Sequence, residues 1–227
     1  MGFDLPGIWR LLPLYVEGDQ HMTVNYPEYA GKLNIINVFQ PGNPSGHMTP
    51  PVLWSPSVCP PGTFTPKGGL IHGTVGSNTL PYFTGGSVAD GRMVCAHYLL
   101  PKDDYTVYKL VPDGKPCAHA GPSRWRGVTN LNNAFYGFEL ENLQDQVDPF
   151  TAGQYIKLAL NWAYLAARDH IPDIMLTTHH AVCLPADRRY DPDAGNFSYS
   201  TFYGHLHEIR KPENWPTNWG LAQWSAP

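Results

Sequence analysis

The sequence predicts a mixed α/β (α+β) domain, a central β-sheet flanked by helices, behind a Pro/Gly-rich N-terminal extension. Three observations carry this reading. Short runs rich in β-branched and aromatic residues recur from residue 69 onward. Two of them, 92–100 and 105–111, are separated by "PKDD", a hairpin signature. One long segment has apolar residues at helical spacing between a capping-box start and a proline stop.

Residues 1–66 are dense in proline and glycine and are expected to be irregular, with short apolar runs such as "LNIINVF" (33–39) as single strands between loops. The domain proper is expected over 67–227. It opens with "GGLIHGTV", a short apolar strand that ends at His72 and a small-residue turn. "RMVCAHYLL" and "YTVYKLV" form the hairpin, and "AFYGFELEN" (134–142) reads as another buried strand. In "TAGQYIKLALNWAYLAARDH", Thr151 and Gln154 have capping-box spacing. Tyr155, Leu158, Trp162, Leu165 and Ala166 follow with helical periodicity, and Pro172 closes the segment. "IMLTTHH" (174–180) is then a strand running into two histidines. Strand, hairpin, strand, helix, strand is the pattern of a sheet domain with mixed strand directions. No period of 20–50 residues is present, which argues against a repeat architecture.

Composition narrows the function. The 227 residues are 42% hydrophobic and 15% charged, enough for a packed core. A net charge of -4 without clustered Lys and Arg gives no reason to expect nucleic acid. The N-terminal run "GIWRLLPLYVEGD" is broken by Arg10, Pro13 and Glu17, unlike the apolar stretch of a signal peptide, and is too short to span a bilayer. Cys59, Cys95, Cys117 and Cys183 include no CxxC pair, so a thiolate zinc site of the finger type is not expected. Four cysteines can form two disulfides; the expectation here is instead free, mostly buried thiols in a chain made in a reducing cytoplasm.

Chemistry concentrates where strands end. His72 and His179 each close a predicted strand, where a rigid sheet presents a side chain at the rim of a cleft, and Asp191 follows in "DRRYDPD". Two histidines and a carboxylate form a ligand set that leaves one zinc position open for water. Zinc lowers the pKa of such a water from near 16 to roughly 7.

Five segments then appear in order between residues 71 and 192: Ile71-His72-Gly73-Thr74, Cys95-Ala96-His97-Tyr98, His119-Ala120-Gly121 with Trp125, Gly137-Phe138-Glu139, and Arg188-Arg189-Tyr190-Asp191-Pro192. Together they resemble the type 2 N-acetylmuramoyl-L-alanine amidases, the family that includes peptidoglycan recognition proteins and phage lysozymes of the amidase kind. The resemblance implies that family's fold and one zinc ion held by His72, one histidine of the 179–180 pair, and Asp191. Placing Val182 at the family's branched apolar position favours His179 over His180. Glu139 is implied as the general base, its bland alternative being an edge-strand carboxylate. Arg189 stands where many members carry lysine; it keeps the charge that stabilises an oxyanion but cannot donate a proton.

His97, His119 and Trp125 are expected around the substrate groove, with a structural role as the alternative. Trp215, Trp219 and Trp224 near the C-terminus suit either packing of a tail or stacking on sugars. The resemblance implies hydrolysis of the amide between N-acetylmuramic acid and L-alanine in bacterial peptidoglycan. The rival readings are a non-catalytic wall-binding module and a zinc peptidase acting on the stem peptide. The chain looks like a phage endolysin: a monomer made in the host cytoplasm, not inserted in a membrane, and acting at the wall after release.

Overall fold

In the computed structural model, the described residues are 24–37, 62–86, 91–92, 94–103, 105–112 and 114–223. Helix α1 (Tyr26–Lys32) starts at Asn25, whose side chain accepts the Glu28 amide hydrogen, and leads into strand β1 (Asn34–Asn37). Then come β2 (Gly68–Gly73), β3 (Tyr98–Leu100), β4 (Thr106–Lys109), a small ribbon of β5 (Arg124–Trp125) and β6 (Val128–Thr129), and β7 (Phe135–Leu140). Helix α2 (Ala152–Asp169), strand β8 (Leu176–Thr178), a single-turn helix α3 (His179–Val182) and helix α4 (Tyr199–Ile209) complete the order.

Among the described residues, six strands form one sheet in the order β1-β4-β3-β7-β2-β8. The expected hairpin is present: β3 and β4 pair antiparallel, while the other neighbouring pairs run parallel. "LNIINVF" does supply a strand, and β1 is an edge of the main sheet, in register with β4 from Asn34↔Thr106 to Asn37↔Lys109. Of the described residues before 67, Asn34–Asn37 are therefore part of the sheet.

Helix α2 lies where periodicity placed it, with its capping box formed: Thr151 accepts from the Gln154 amide, and Gln154 bonds back to the Thr151 amide. Gln154 also donates to the Leu100 and Glu141 carbonyls, fixing the helix start to the ends of two strands. Strand alternation divides the core. Ile71, Tyr98, Leu100, Tyr136, Phe138 and Leu140 share one cluster with α2 and α4, whereas Leu70 and Phe135 pack on the other face with Ala120, Leu131 and Val182. Trp162 is fully buried against that first face and donates from its indole to Asp173, which also accepts from Arg210. Burying one such side chain is worth about 1.5–3 kcal/mol.

Three expectations are corrected. Among the described residues of the run 92–100, only Tyr98–Leu100 form a strand. The histidine pair does not end a strand: His179 opens α3, because the chain turns there and the Cys183 amide bonds to the His179 carbonyl. The thiols are not all free, since Cys95 and Cys117 are joined in a disulfide; the fold brings 95 beside 117, with the Cys95 amide bonded to the Ala118 carbonyl. Cys183 is free and buried; Cys59 lies outside the described residues.

Trp215 is buried and donates to the Leu221 carbonyl, and Trp219 packs edge-on against it and against Tyr164 of α2. These two tryptophans fasten the C-terminal segment to the domain; Trp224 lies outside the described residues. No helix among the described residues is long and apolar enough to cross a membrane.

Candidate metal centre

Strands β7, β2 and β8 run parallel, so their carboxyl ends open on one edge of the sheet, the edge where open α/β sheets bind ligands. His72 is the penultimate residue of β2, and its register partner on β7 is Glu139. Partners in a ladder point to the same face, here the face opposite α2. His179 follows β8 directly, as the first residue of α3. Asp191 returns on a loop whose main chain is tied back, its carbonyl accepting from the His180 amide at 3.0 Å.

These elements bring together the side chains of His72, His179 and Asp191. Nδ1 of His72 lies 3.0 Å from Nδ1 of His179 and 3.2 Å from Oδ2 of Asp191, and His179 Nδ1 is 3.1 Å from the same oxygen. His179 Nε2 is 3.1 Å from the Ala120 carbonyl, which only accepts, so Nε2 carries the ring hydrogen and Nδ1 presents a lone pair. A bare imidazole nitrogen, a carboxylate oxygen and a second imidazole nitrogen converging this closely suit a cation between them. Their spacing is near the roughly 3.3 Å between ligand atoms of tetrahedral zinc bonded at about 2.0–2.1 Å. The donor set fits zinc.

The site's electrostatics favour neutral imidazoles around an anionic carboxylate. Burial, then the neighbouring His179, pushes the His72 pKa down to about 4. His119, buried among His72, His97 and His179, is held well below its usual value. Burial works to raise Asp191, but hydrogen bonds from His179 and His72 outweigh it and keep the carboxyl below the ordinary carboxylate range. Glu139 is shifted the other way, well above that range, by burial and then by the Asp191 charge, with Arg189 opposing.

Around the cluster is an open cavity of about 470 Å³ lined by His72, His119, Glu139, His179, Arg189 and Asp191 together with parts of the segment 73–83 and Arg92, Val94 and Cys95. The cavity thus gathers six of the eight residues that sequence reasoning singled out. Of the histidine pair, His179 enters the cluster, while His180 turns outward to Asp193 at 2.7 Å and Asp187 at 3.4 Å. His119 is nearly buried behind His72, with Nδ1 3.0 Å from His72 Nε2.

The other two residues lie apart from this cavity. His97 is only 1% exposed; its Nδ1 accepts from the Gly137 amide and its Nε2 meets the Lys115 carbonyl, an arrangement that holds the backbone. Trp125 donates to the Ile174 carbonyl and borders a separate hollow with Ile71, Leu176 and Tyr199.

Sequence reasoning missed the cavity wall within 74–83, which turns at Val75 and Asn78, both at positive φ, before a π-helical turn begins at Tyr82. It also missed Arg188, whose guanidinium donates to the Ala120, Pro122 and Leu184 carbonyls and so clamps the Asp191 loop onto the His119 segment. The pair of adjacent arginines was the available signal: one faces the cavity and the other faces the backbone.

An open α/β sheet with a two-histidine, one-carboxylate cluster at its carboxyl edge offers a ligand set that could hold a divalent metal. Residues 63–194, more than half of the chain, match the profile of the N-acetylmuramoyl-L-alanine amidase family, and the chain belongs to that family. It is 32% identical over 114 residues to N-acetylmuramoyl-L-alanine amidase AmiD of Escherichia coli (strain K12), a match covering 44% of this chain and 41% of that protein. The similar region therefore spans less than half of that relative's length.

Among solved structures, the chain is similar to the E. coli AmiD complex with anhydro-N-acetylmuramic acid-L-Ala-D-gamma-Glu-L-Lys (26% identity, TM-score 0.54, covering 71% of this chain and 63% of that one). It is also similar to a selenomethionine derivative of AmpD (25% identity, TM-score 0.53, covering 63% and 85%). The amidase LysC of Clostridium intestinale URNW shares the fold at 20% identity, with a TM-score of 0.54 over 77% of this chain and 97% of that one.

Proposed function

We propose that this protein hydrolyses the amide joining N-acetylmuramic acid to L-alanine in peptidoglycan, with one zinc ion held by His72, His179 and Asp191. The observation that carries the reading is the convergence of those three donor atoms within about 3 Å of one another, beside Glu139, in a chain of the amidase family. When bound, zinc supplies Lewis acidity, which polarises an amide carbonyl and makes hydroxide available near neutral pH.

The chain's own residues do the rest. Glu139, with its raised pKa, takes a proton from the attacking water and returns it to the leaving L-alanine amine. Arg189, exposed at the cavity wall, offers its guanidinium to the developing oxyanion. His119 and the residues of 74–83 shape the space in which the muramyl and peptide groups lie. The setting we propose is that of an endolysin-type lysin, made in a host cytoplasm, acting as a monomer on the wall after release.

The test is digestion of purified peptidoglycan with and without a chelator, followed by identification of the new termini. A chelator-sensitive gain of free L-alanine amines is the expected result. New termini inside the stem peptide would replace this reading with that of a peptidase. Wall binding with no chelator-sensitive release would replace it with that of a binding module.

A further inference from the structure

We propose that His119 is a positioning residue that selects which nitrogen of His72 faces the metal centre, through a hydrogen-bond relay rooted in the Phe135 carbonyl. The proposal rests on the zinc reading above for its consequence, though not for its geometry.

The relay follows from donor and acceptor inventories. The Phe135 carbonyl, 3.0 Å from His119 Nε2, can only accept, so that nitrogen carries the His119 hydrogen. A neutral imidazole has one ring hydrogen, so His119 Nδ1 is an acceptor. It lies 3.0 Å from His72 Nε2, which must therefore donate. His72 Nδ1 is then bare, and this is the atom that meets His179 Nδ1 and Asp191 Oδ2. His179 reaches the same state by a shorter route, giving its Nε2 hydrogen directly to the Ala120 carbonyl. The two histidines are thus oriented differently, one by a peptide carbonyl and one by an imidazole that is itself anchored.

The His119 ring sits in a built seat. Asn132 Oδ1 accepts from the amides of both His119 and Ala120, at 3.0 and 2.7 Å. The ring lies flush on β7 at Gly137, where a Cβ would come within 2.9 Å of His119 Cγ and Nδ1. Glycine at 137 is required by this close approach. Such outer partners of a metal-ligating histidine fix its tautomer and ring orientation, and losing one typically costs 10–100-fold in metal affinity.

Three full-length proteins test this: the parent, His119→Phe, which keeps a buried ring without an acceptor, and His119→Asn, whose Oδ1 can stand in for Nδ1. Nitrogen-15 NMR of the histidine rings in the metal-free parent should show the His72 proton on Nε2. Competition with a chromophoric chelator should show zinc bound about 10–100-fold more weakly by His119→Phe, with the affinity of His119→Asn recovered to within a few-fold of the parent.

A His72 proton on Nδ1 in the parent overturns the relay, whether or not the variants fold. So does parental zinc affinity in a folded His119→Phe. A parent that binds no zinc would sink the zinc reading instead, while the NMR result would still decide the relay.

Discussion

His72 and Glu139 are direct register partners on the parallel strands β2 and β7, so an imidazole of the candidate metal centre and a carboxyl of raised pKa share one face of the sheet. A rigid ladder holds their separation, which is what a proton carrier beside a reaction centre needs. Glu139→Gln keeps the shape and removes the proton chemistry. Its turnover of peptidoglycan should fall by about 10²–10⁴-fold with zinc content unchanged. Near-parental turnover with full zinc would remove Glu139 from the mechanism.

Lys157 tests the frame beneath the site. It is fully buried, and its ammonium donates to the Pro101 carbonyl at 2.6 Å and to the Asp103 carbonyl, with the Asp103 carboxylate 3.6 Å away. It thereby holds the β3–β4 hairpin to α2. Lys157→Met keeps the stem and leaves those carbonyls without their donor, at a cost of about 1–3 kcal/mol. A urea midpoint equal to that of the parent would show that desolvating the charge cancels what its hydrogen bonds contribute.

Acid should loosen the packing of α1 on α4. His205 Nδ1 lies 2.9 Å from the Tyr26 hydroxyl, and burial lowers the His205 pKa, with Glu208 opposing in part. A histidine depressed in the folded state contributes stability that is present above its unfolded pKa of about 6.5 and is lost as pH falls through the folded value. His205→Gln should therefore flatten the decline of Tm below about pH 6.5 relative to the parent. Parallel Tm curves for the two proteins would rule out the linkage.

Val75 offers a gain. It is a β-branched residue at φ 53°, 71% exposed at the cavity lip. That region is costly for such a side chain and tolerable for asparagine. Val75→Asn should raise stability by about 1 kcal/mol, seen as about 2–4 °C in Tm. An unchanged or lower Tm would mean that the valine makes contacts worth as much as its backbone costs.

Much of the architecture was legible because it depends on local rules. The α2 capping box and stripe, the "PKDD" hairpin and the buried β7 run each announce themselves within a few residues. The site was partly legible for the same reason: His72 and Glu139 lie on strands whose alternation fixes their face. His179 was favoured over His180 by register with a family pattern, through Val182. In the structure the two sit in a helical turn, where successive side chains point about 100° apart, and only His179 faces inward.

The features that escaped are made by distant parts of the chain. Cys95 and Cys117 are 22 residues apart and meet only because the segment before β3 lies against that before β5. The adjacent arginines hint at two roles, but nothing local says that Arg188 reaches three carbonyls, or that Gly137 seats an imidazole. The pairing of β1 with β4 brings Asn34 beside Thr106, a contact that no periodicity in either segment encodes.

The donor atoms of the centre come from positions 107 and 119 residues apart along the chain. An ion seated there would act as a cross-link, stitching the front of the domain to the loop after β8. Because the unfolded chain cannot offer that arrangement, free zinc at 100 times its dissociation constant would add about 2.7 kcal/mol to the folded state. Chelation would then soften the whole domain as well as silence it, and the melting temperature would report how much metal the surroundings supply.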